Sequence, residues 1–192
     1  EAVLHHFAAV CVQPRYAERA VKRLEHQNIP VASVVGFPHG ATLTSVKRAE
    51  AEAIIALGVR ELDVVLPIGL LKARDWSAVA DDIEAVVEAA RDRGKRSVLV
   101  KAIIEAGLLT DEEKVIACAI AESVGADFVK TSTGFSGSGA TVADVALMRR
   151  VVGDRLGVKA AGGIRTREQA TALVKAGATR LGTSSGPSLV SR

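Results

Sequence analysis

The sequence predicts an α/β fold, a (β/α)8 TIM barrel lacking its first strand, and three observations carry that prediction. Short apolar runs alternate with amphipathic stretches along all 192 residues. Each helical stretch is long enough to be a right-handed crossover between parallel strands. Hydrophobic residues make up 48% of the chain but aromatic ones only 3%, so the core must be Ala, Val, Leu and Ile, the mixture found in parallel strands beneath Ala-rich helices. Polar glycine turns follow the last two apolar runs, at Gly162-Gly163 and Gly182-Thr183-Ser184-Ser185-Gly186. A barrel commonly binds phosphate in the loops after strands seven and eight. The competing closure, an open doubly wound sheet, calls for a strand-linked G-x-G-x-x-G turn, and the sequence has none.

In chain order, Glu1 to His6 reads as the end of a helix and Phe7 to Val12 as a strand stopped by Pro14. Tyr16 to His26 carries helical spacing in Ala17, Ala20, Val21 and Leu24. Val31 to Phe37 is a strand, and Thr44 opens a helix that Gly58 closes. Strands at Glu61–Leu66 and Ser97–Ile104 flank a long amphipathic helix from Trp76 to Arg93, with Gly94 after it. Thr110-Asp111-Glu112-Glu113 starts a capping box for a helix reaching Val124. A strand from Ala126 to Thr133 comes next, then a helix capped by Thr141 and Asp144. Val158–Ala161 is a strand, Thr166 with Gln169 caps a helix ending near Gly177, and Arg180–Thr183 is the last strand, with little or no helix after it. If the final two strands are barrel strands seven and eight, the first visible strand is strand two. Residues 1–192 then form one barrel domain that is incomplete at its N-terminal side.

Composition excludes several classes of function. The formal net charge is +3, and Lys and Arg are dispersed, which argues against nucleic-acid binding. No run is long enough for a membrane helix and no signal peptide opens the chain, so it reads as a soluble, cytoplasmic protein. Cys11 and Cys118 form neither metal spacing nor a disulfide framework and are expected to be buried small hydrophobes. The four histidines are not spaced as metal ligands. No metal and no cofactor is expected.

Four successive barrel strands, four to seven, each carry an ionisable residue mid-run: Asp63, Lys101, Lys130 and Lys159. A charge inside a buried strand is costly unless it is paired or used. One carboxylate among three ammonium groups leaves a surplus of positive charge. Either the lysines snorkel to the barrel mouth, or neighbouring cations and partial desolvation free an amine near neutral pH, poised to form a Schiff base with a carbonyl compound. A weak repeat favours the second reading: five residues beyond Gly58, Gly125 and Gly177, which each end a helix, stand Asp63, Lys130 and Gly182, and two of those three are ionisable. Beside them, Gly162, Gly163 and Gly182 allow close backbone approach to an anion, Ser184 and Ser185 offer hydroxyls, and Arg165 offers a guanidinium fork.

These residues stand in motifs that resemble the deoxyribose-phosphate aldolases. The resemblance rests on Asp63-Val64-Val65, Val100-Lys101-Ala102-Ile103-Ile104-Glu105, Phe128-Val129-Lys130-Thr131-Ser132-Thr133-Gly134, Val158-Lys159-Ala160-Ala161-Gly162-Gly163-Ile164-Arg165 and Gly182-Thr183-Ser184-Ser185. Val10-Cys11-Val12 with Pro14 and Gly36-Phe37-Pro38-His39-Gly40 also match. The resemblance implies a metal-free class I aldolase that reversibly cleaves 2-deoxy-D-ribose 5-phosphate to D-glyceraldehyde 3-phosphate and acetaldehyde. It implies Lys130 as the Schiff-base nucleophile and Lys159 as the second lysine, whose charge helps make Lys130 a free amine and which joins proton transfer. Asp63 is implied in the proton relay and Lys101 as a supporting cation near substrate hydroxyls. Gly162, Gly163, Arg165, Ser184 and Ser185 fall where the family binds phosphate. It implies a homodimer as well. The Asp and Thr that the family carries near the end of its first strand have no counterpart in this chain. Two alternatives stay open: a phosphate-ligand-binding barrel without turnover, and another Schiff-base lyase acting on sugar phosphates.

Overall fold

Strand order decides how the alternation of strands and helices closes. The computed structural model describes residues 1–91 and 98–191. In chain order these form β1 (Val10–Val12), α1 (Ala17–Leu24), β2 (Val31–Val35), α2 (Thr44–Ala56), β3 (Glu61–Val65), α3 (Ile68–Lys72), α4 (Trp76–Arg91) and β4 (Leu99–Ile103). Then come α5 (Asp111–Ser123), β5 (Phe128–Lys130), α6 (Val142–Val152), β6 (Gly157–Ala161), α7 (Arg167–Lys175), β7 (Arg180–Gly182) and α8 (Gly186–Val190). The seven strands lie in one parallel sheet ordered β1-β2-β3-β4-β5-β6-β7. Each strand pairs with the next in sequence and the winding never reverses, as in a barrel and unlike a doubly wound sheet.

The sheet is curled. Three strand spacings of about 4.8 Å would hold β3 and β6 about 14 Å apart in a flat sheet. Instead Lys159 on β6 reaches Asp63 on β3 at 2.5 Å, and Arg180 on β7 reaches Glu61 on β3 at 3.1 Å. Among the described residues β1 and β7 are the two edges, so the architecture is an incomplete (β/α)8 barrel.

Alternation sorts the two faces of the sheet. Leu62, Val64, Val100, Ala102, Val129 and Val158 turn outward and are fully buried against the helices. The helices answer with small and branched side chains such as Ala51, Ile83, Val86, Ala117 and Met148. The apolar core is this outer layer. The inward face carries Asp63, Lys101, Lys130 and Lys159, which leaves the barrel interior for polar groups.

The helix starts follow the sequence closely. Thr110 with Glu113 and Thr166 with Gln169 form reciprocal capping boxes, each worth about 1 kcal/mol. At α6 the box is half made. The Thr141 hydroxyl accepts from the Asp144 N–H, but the Asp144 carboxylate turns to the Thr141 hydroxyl at 2.7 Å and to Lys114 at 2.7 Å. Helix α3 fills a short stretch after Pro67 to which the sequence reading gives no element, and Leu71 buries completely there. Strand pairing begins at Val10 rather than Phe7, and at Phe128 rather than Ala126. The expected helix end at Arg93 with Gly94, and the expected strand start at Ser97, lie outside the described residues.

Candidate functional site

Register brings the four interior charges together. Asp63 pairs with Lys101 across β3 and β4, Ile103 with Lys130 across β4 and β5, and Lys130 with Lys159 across β5 and β6. Partners in parallel strands share a face, so curling aims all four side chains at one point. There Asp63, completely buried, accepts from three lysines: Lys101 Nζ on Oδ1 at 2.9 Å, and Lys130 Nζ and Lys159 Nζ on Oδ2 at 2.8 and 2.5 Å. One carboxylate serves all three ammonium groups, so the surplus of positive charge read in the sequence converges on Asp63. The lysines do not snorkel: Lys101 is fully buried, and Lys130 and Lys159 are nearly so.

Sharing Oδ2 holds the Lys130 and Lys159 nitrogens no farther apart than the two contacts laid end to end. Two ammonium groups that close repel each other unless one gives up its proton. Burial pushes the Lys159 ammonium below the usual lysine range; Asp63 opposes that, and Lys130 and Lys101 add to it. Burial on its own would raise the Asp63 carboxyl, but the charges of Lys130, Lys159 and Lys101 outweigh it and hold Asp63 well below the ordinary carboxylate range. Asp63 is therefore a fixed anion, and Lys159 is the member of the cluster eased toward losing its proton.

Glycines clear space for this cluster. A Cβ at Gly182 would lie 3.2 Å from Lys159 Cε and 3.1 Å from Ala161 Cβ, and one at Gly157 would overlap the Phe128 ring. Gly182, read in the sequence as an anion-approach glycine, makes room for the Lys159 stem.

Gly162 and Gly163 follow β6 and both hold positive φ, 92° and 73°, a backbone that favours glycine. The Gly162 carbonyl accepts from Ala140 N–H at 3.0 Å, and a side chain at Gly139 would strike that carbonyl. The loop after β5 thus packs backbone-on-backbone against the loop after β6. The Thr183 hydroxyl donates to the Ile164 carbonyl at 2.7 Å and ties the loops after β6 and β7 together. Arg165, Ser184 and Ser185 consequently lie on adjoining loops. Arg165 and Ser184 are exposed, while the Ser185 N–H is already used by Thr183 Oγ1 at 2.9 Å.

Glu61 and Glu105 escaped the sequence reading as site residues. Glu61 lies two positions before Asp63 on the same face and pairs with Lys101 at 2.7 Å and Arg180 at 3.1 Å. The strand period that selected Asp63 also selects Glu61, but its place at the strand start concealed it. Glu105, at φ 52° and buried, receives the Thr133 N–H at 3.2 Å and the Thr133 hydroxyl, which clamps the segment that follows Lys130. Cys118 is buried as expected, but Cys11 is exposed. It shares the inward face with Ala32 and, with Lys159, lines a cavity of about 640 Å³ between β1 and β7. Among the described residues no three His, Cys, Asp or Glu side chains come together as a metal site, and no helix is long and apolar enough to cross a membrane.

Comparison with known proteins agrees with this arrangement. The family model described as DeoC/LacD family aldolase matches residues 1–189. Proteins named deoxyribose-phosphate aldolase from Streptococcus equi subsp. zooepidemicus and Streptococcus pneumoniae serotype 19F are each 54% identical over 190 residues, covering 99% of this chain and 84% of the relative. The deoxyribose phosphate aldolase of Aeropyrum pernix, described as tetrameric, superposes with a TM-score of 0.90 at 33% identity over 98% of this chain and 78% of that one.

Proposed function

Since the chain belongs to the DeoC/LacD family of aldolases, we propose that it is a deoxyribose-phosphate aldolase, reversibly cleaving 2-deoxy-D-ribose 5-phosphate to D-glyceraldehyde 3-phosphate and acetaldehyde through a lysine Schiff base. The observation that carries this reading is the sharing of Asp63 Oδ2 by Lys130 and Lys159 inside the barrel. A neutral amine, a neighbouring ammonium and a fixed carboxylate are the groups an imine-forming site needs.

In the proposed sequence the neutral Lys130 amine adds to the sugar aldehyde to give a carbinolamine, which loses water to give the protonated imine. The C3 hydroxyl then yields its proton, the C3–C2 bond breaks, and its electron pair passes into the imine to leave an enamine. D-glyceraldehyde 3-phosphate departs. Protonation of the enamine carbon and addition of water release acetaldehyde and regenerate Lys130. Asp63 holds the relay geometry, and Lys159 supplies and recovers protons. Lys101 is held by two carboxylates and serves as a supporting cation near the substrate hydroxyls. Gly162, Gly163, Arg165, Ser184 and Ser185 hold the phosphate.

The experiment is borohydride trapping with acetaldehyde. One ethyl group should be added per chain, mapped to the Lys130 peptide and lost in Lys130→Ala. No adduct on the folded protein would leave the phosphate-binding barrel without turnover. A second nucleophile has an observation in its favour, because burial lowers the Lys159 ammonium; an ethyl group on the Lys159 peptide would select it. Turnover of ketose phosphates in place of deoxyribose 5-phosphate would select another Schiff-base lyase. We further propose assembly as a homodimer, to be read by light scattering, with a tetramer as the opposing outcome.

A further inference from the structure

Beneath the Asp63 cluster the barrel interior holds a second charged layer that the steps above do not use. Glu61 is buried, and its Oε2 forms ion pairs with Lys101 Nζ at 2.7 Å and with Arg180 Nη1 at 3.1 Å. The same Lys101 nitrogen donates to Asp63 Oδ1 at 2.9 Å. Lys101 is therefore a bridge between two carboxylates on one strand, and Arg180 anchors the far end from β7. Arg180 is itself fixed, with its guanidinium 5.7 Å from the centre of the Phe128 ring.

This arrangement has two consequences. Glu61 pins Lys101 from below, so Lys101 occupies Oδ1 of Asp63 and leaves Oδ2 to Lys130 and Lys159. Glu61 and Asp63 are the carboxylates that the described residues place in this interior beside three lysines and Arg180. The groups facing that interior are Cys11 from β1, Glu61 and Asp63 from β3, Lys101 from β4, Lys130 from β5, Lys159 from β6 and Arg180 from β7. β2 presents Ala32 and Val34, which carry no charge. Charges this close and this shielded from water act strongly on one another.

From this we infer that Glu61 is a positioning residue for the lysine chemistry: through Lys101 it orients Asp63, and together with Arg180 it sets the potential in which Lys130 and Lys159 exchange protons. Its kinetic consequences rest on the aldolase reading; its electrostatic consequence does not.

The test compares Glu61→Gln, Arg180→Met, their double variant and Glu61→Asp. Two quantities are read: the pH profile of kcat/KM for deoxyribose 5-phosphate cleavage, and the pH dependence of Lys159 acetylation by trace acetic anhydride, mapped by peptide without substrate. Glu61→Gln removes a negative charge, so Lys159 should lose its proton about one pH unit lower. Arg180→Met removes a positive charge and should move the same midpoint upward, and the double variant should return it toward the parent. Turnover by Glu61→Gln should fall about tenfold in kcat with KM little changed, because Glu61 acts through Lys101 and Asp63. Glu61→Asp keeps the charge on a shorter arm, and should restore the acetylation midpoint while kcat stays low.

A purely structural Glu61 would lower the melting temperature without moving the midpoints in opposite directions. Midpoints that do not move, or that move the same way in both single variants, overturn the inference. If Glu61→Gln does not fold, Glu61→Asp and Arg180→Met decide it by the same criteria. Loss of parental turnover would count against the aldolase reading alone, since the acetylation arm still judges the electrostatics.

Discussion

Two buried lysine sites, one in the helix layer and one inside the barrel, separate structural charge from chemical charge. Lys47 on α2 is completely buried, with its ammonium donating to Asp82 Oδ2 at 2.5 Å and to the Val65 carbonyl at 2.8 Å. Thr44 completes Asp82 at 2.9 Å. Burial pushes Lys47 down, and every charged neighbour, Asp82 first and then Glu50, pushes it back up. Burial also pushes Lys159 down, but there Lys130 and Lys101 push the same way and Asp63 must oppose them all. Both lysines are desolvated and both touch a carboxylate at 2.5 Å. The difference is stoichiometry: Lys47 has a carboxylate to itself, and Lys159 shares one oxygen with a rival. A matched pair locks two elements together, whereas a crowded one keeps a proton ready to leave.

The largest effect that could break this contrast is on activity. Lys130→Met should abolish ethyl trapping and lower kcat/KM by about a thousandfold or more, with the circular dichroism spectrum unchanged. Loss of the fold instead would mean the barrel cluster is structural after all. Lys47→Met should do the opposite. Stranding the buried Asp82 carboxylate on α4 should cost about 3–5 kcal/mol of stability, read by urea melts, and Lys47→Met/Asp82→Leu should recover most of it. Turnover per folded molecule should stay within about twofold for both variants. A thousandfold loss of turnover in folded Lys47→Met would tie the two sites together.

How much of this was legible in the sequence follows from the same contrast. The barrel was readable because three helices open on a capping threonine, at Thr110, Thr141 and Thr166, and each strand is an apolar run of about the right length. Lys101, Lys130 and Lys159 were legible because a lysine inside such a run breaks the pattern. Glu61 was not, because a charge at the first residue of a strand looks like an ordinary boundary. The convergence on Asp63 was not legible either. It depends on curl and register, which set Lys159 three strands away in contact with β3, and no local pattern encodes that distance. Lys47 was hidden among the charges of a helix that looked solvated, and its partner lies 35 residues on.

A smaller effect sharpens the contrast through acid stability. Asp63 has a lower pKa folded than unfolded, so its ionised form contributes stability that is fully present above its ordinary value near 3.8 and is lost progressively as the pH falls below that value toward the lower folded one. Urea melts of the parent should weaken steadily below about pH 4. Asp63→Asn should lose part of that slope, by up to one proton's worth. An identical slope in the two proteins would show that Asp63 is not held ionised by the lysines.

The smallest effect uses the two cysteines, which sample the same two regions. Cys118 lies on α5 against the outer face of the sheet, fully buried, and burial together with Glu122 pushes its thiol up to about 12. Cys11 faces the barrel interior and is exposed. Burial raises its thiol and Asp63 adds to that, but Lys159, Lys130 and Lys101 pull it back down. Thiolate supply and access therefore both favour Cys11. Iodoacetamide at neutral pH should label the native protein once, at Cys11, and Cys11→Ser should remain unlabelled until it is denatured. The rate carries more information than the count. Asp63→Asn removes the anion that opposes the Cys11 thiolate and leaves the lysines in place, so labelling should speed up by a few fold. Were labelling to slow instead, the lysines would have given up protons along with the lost carboxylate, and the positive charge beside Cys11 would depend on Asp63.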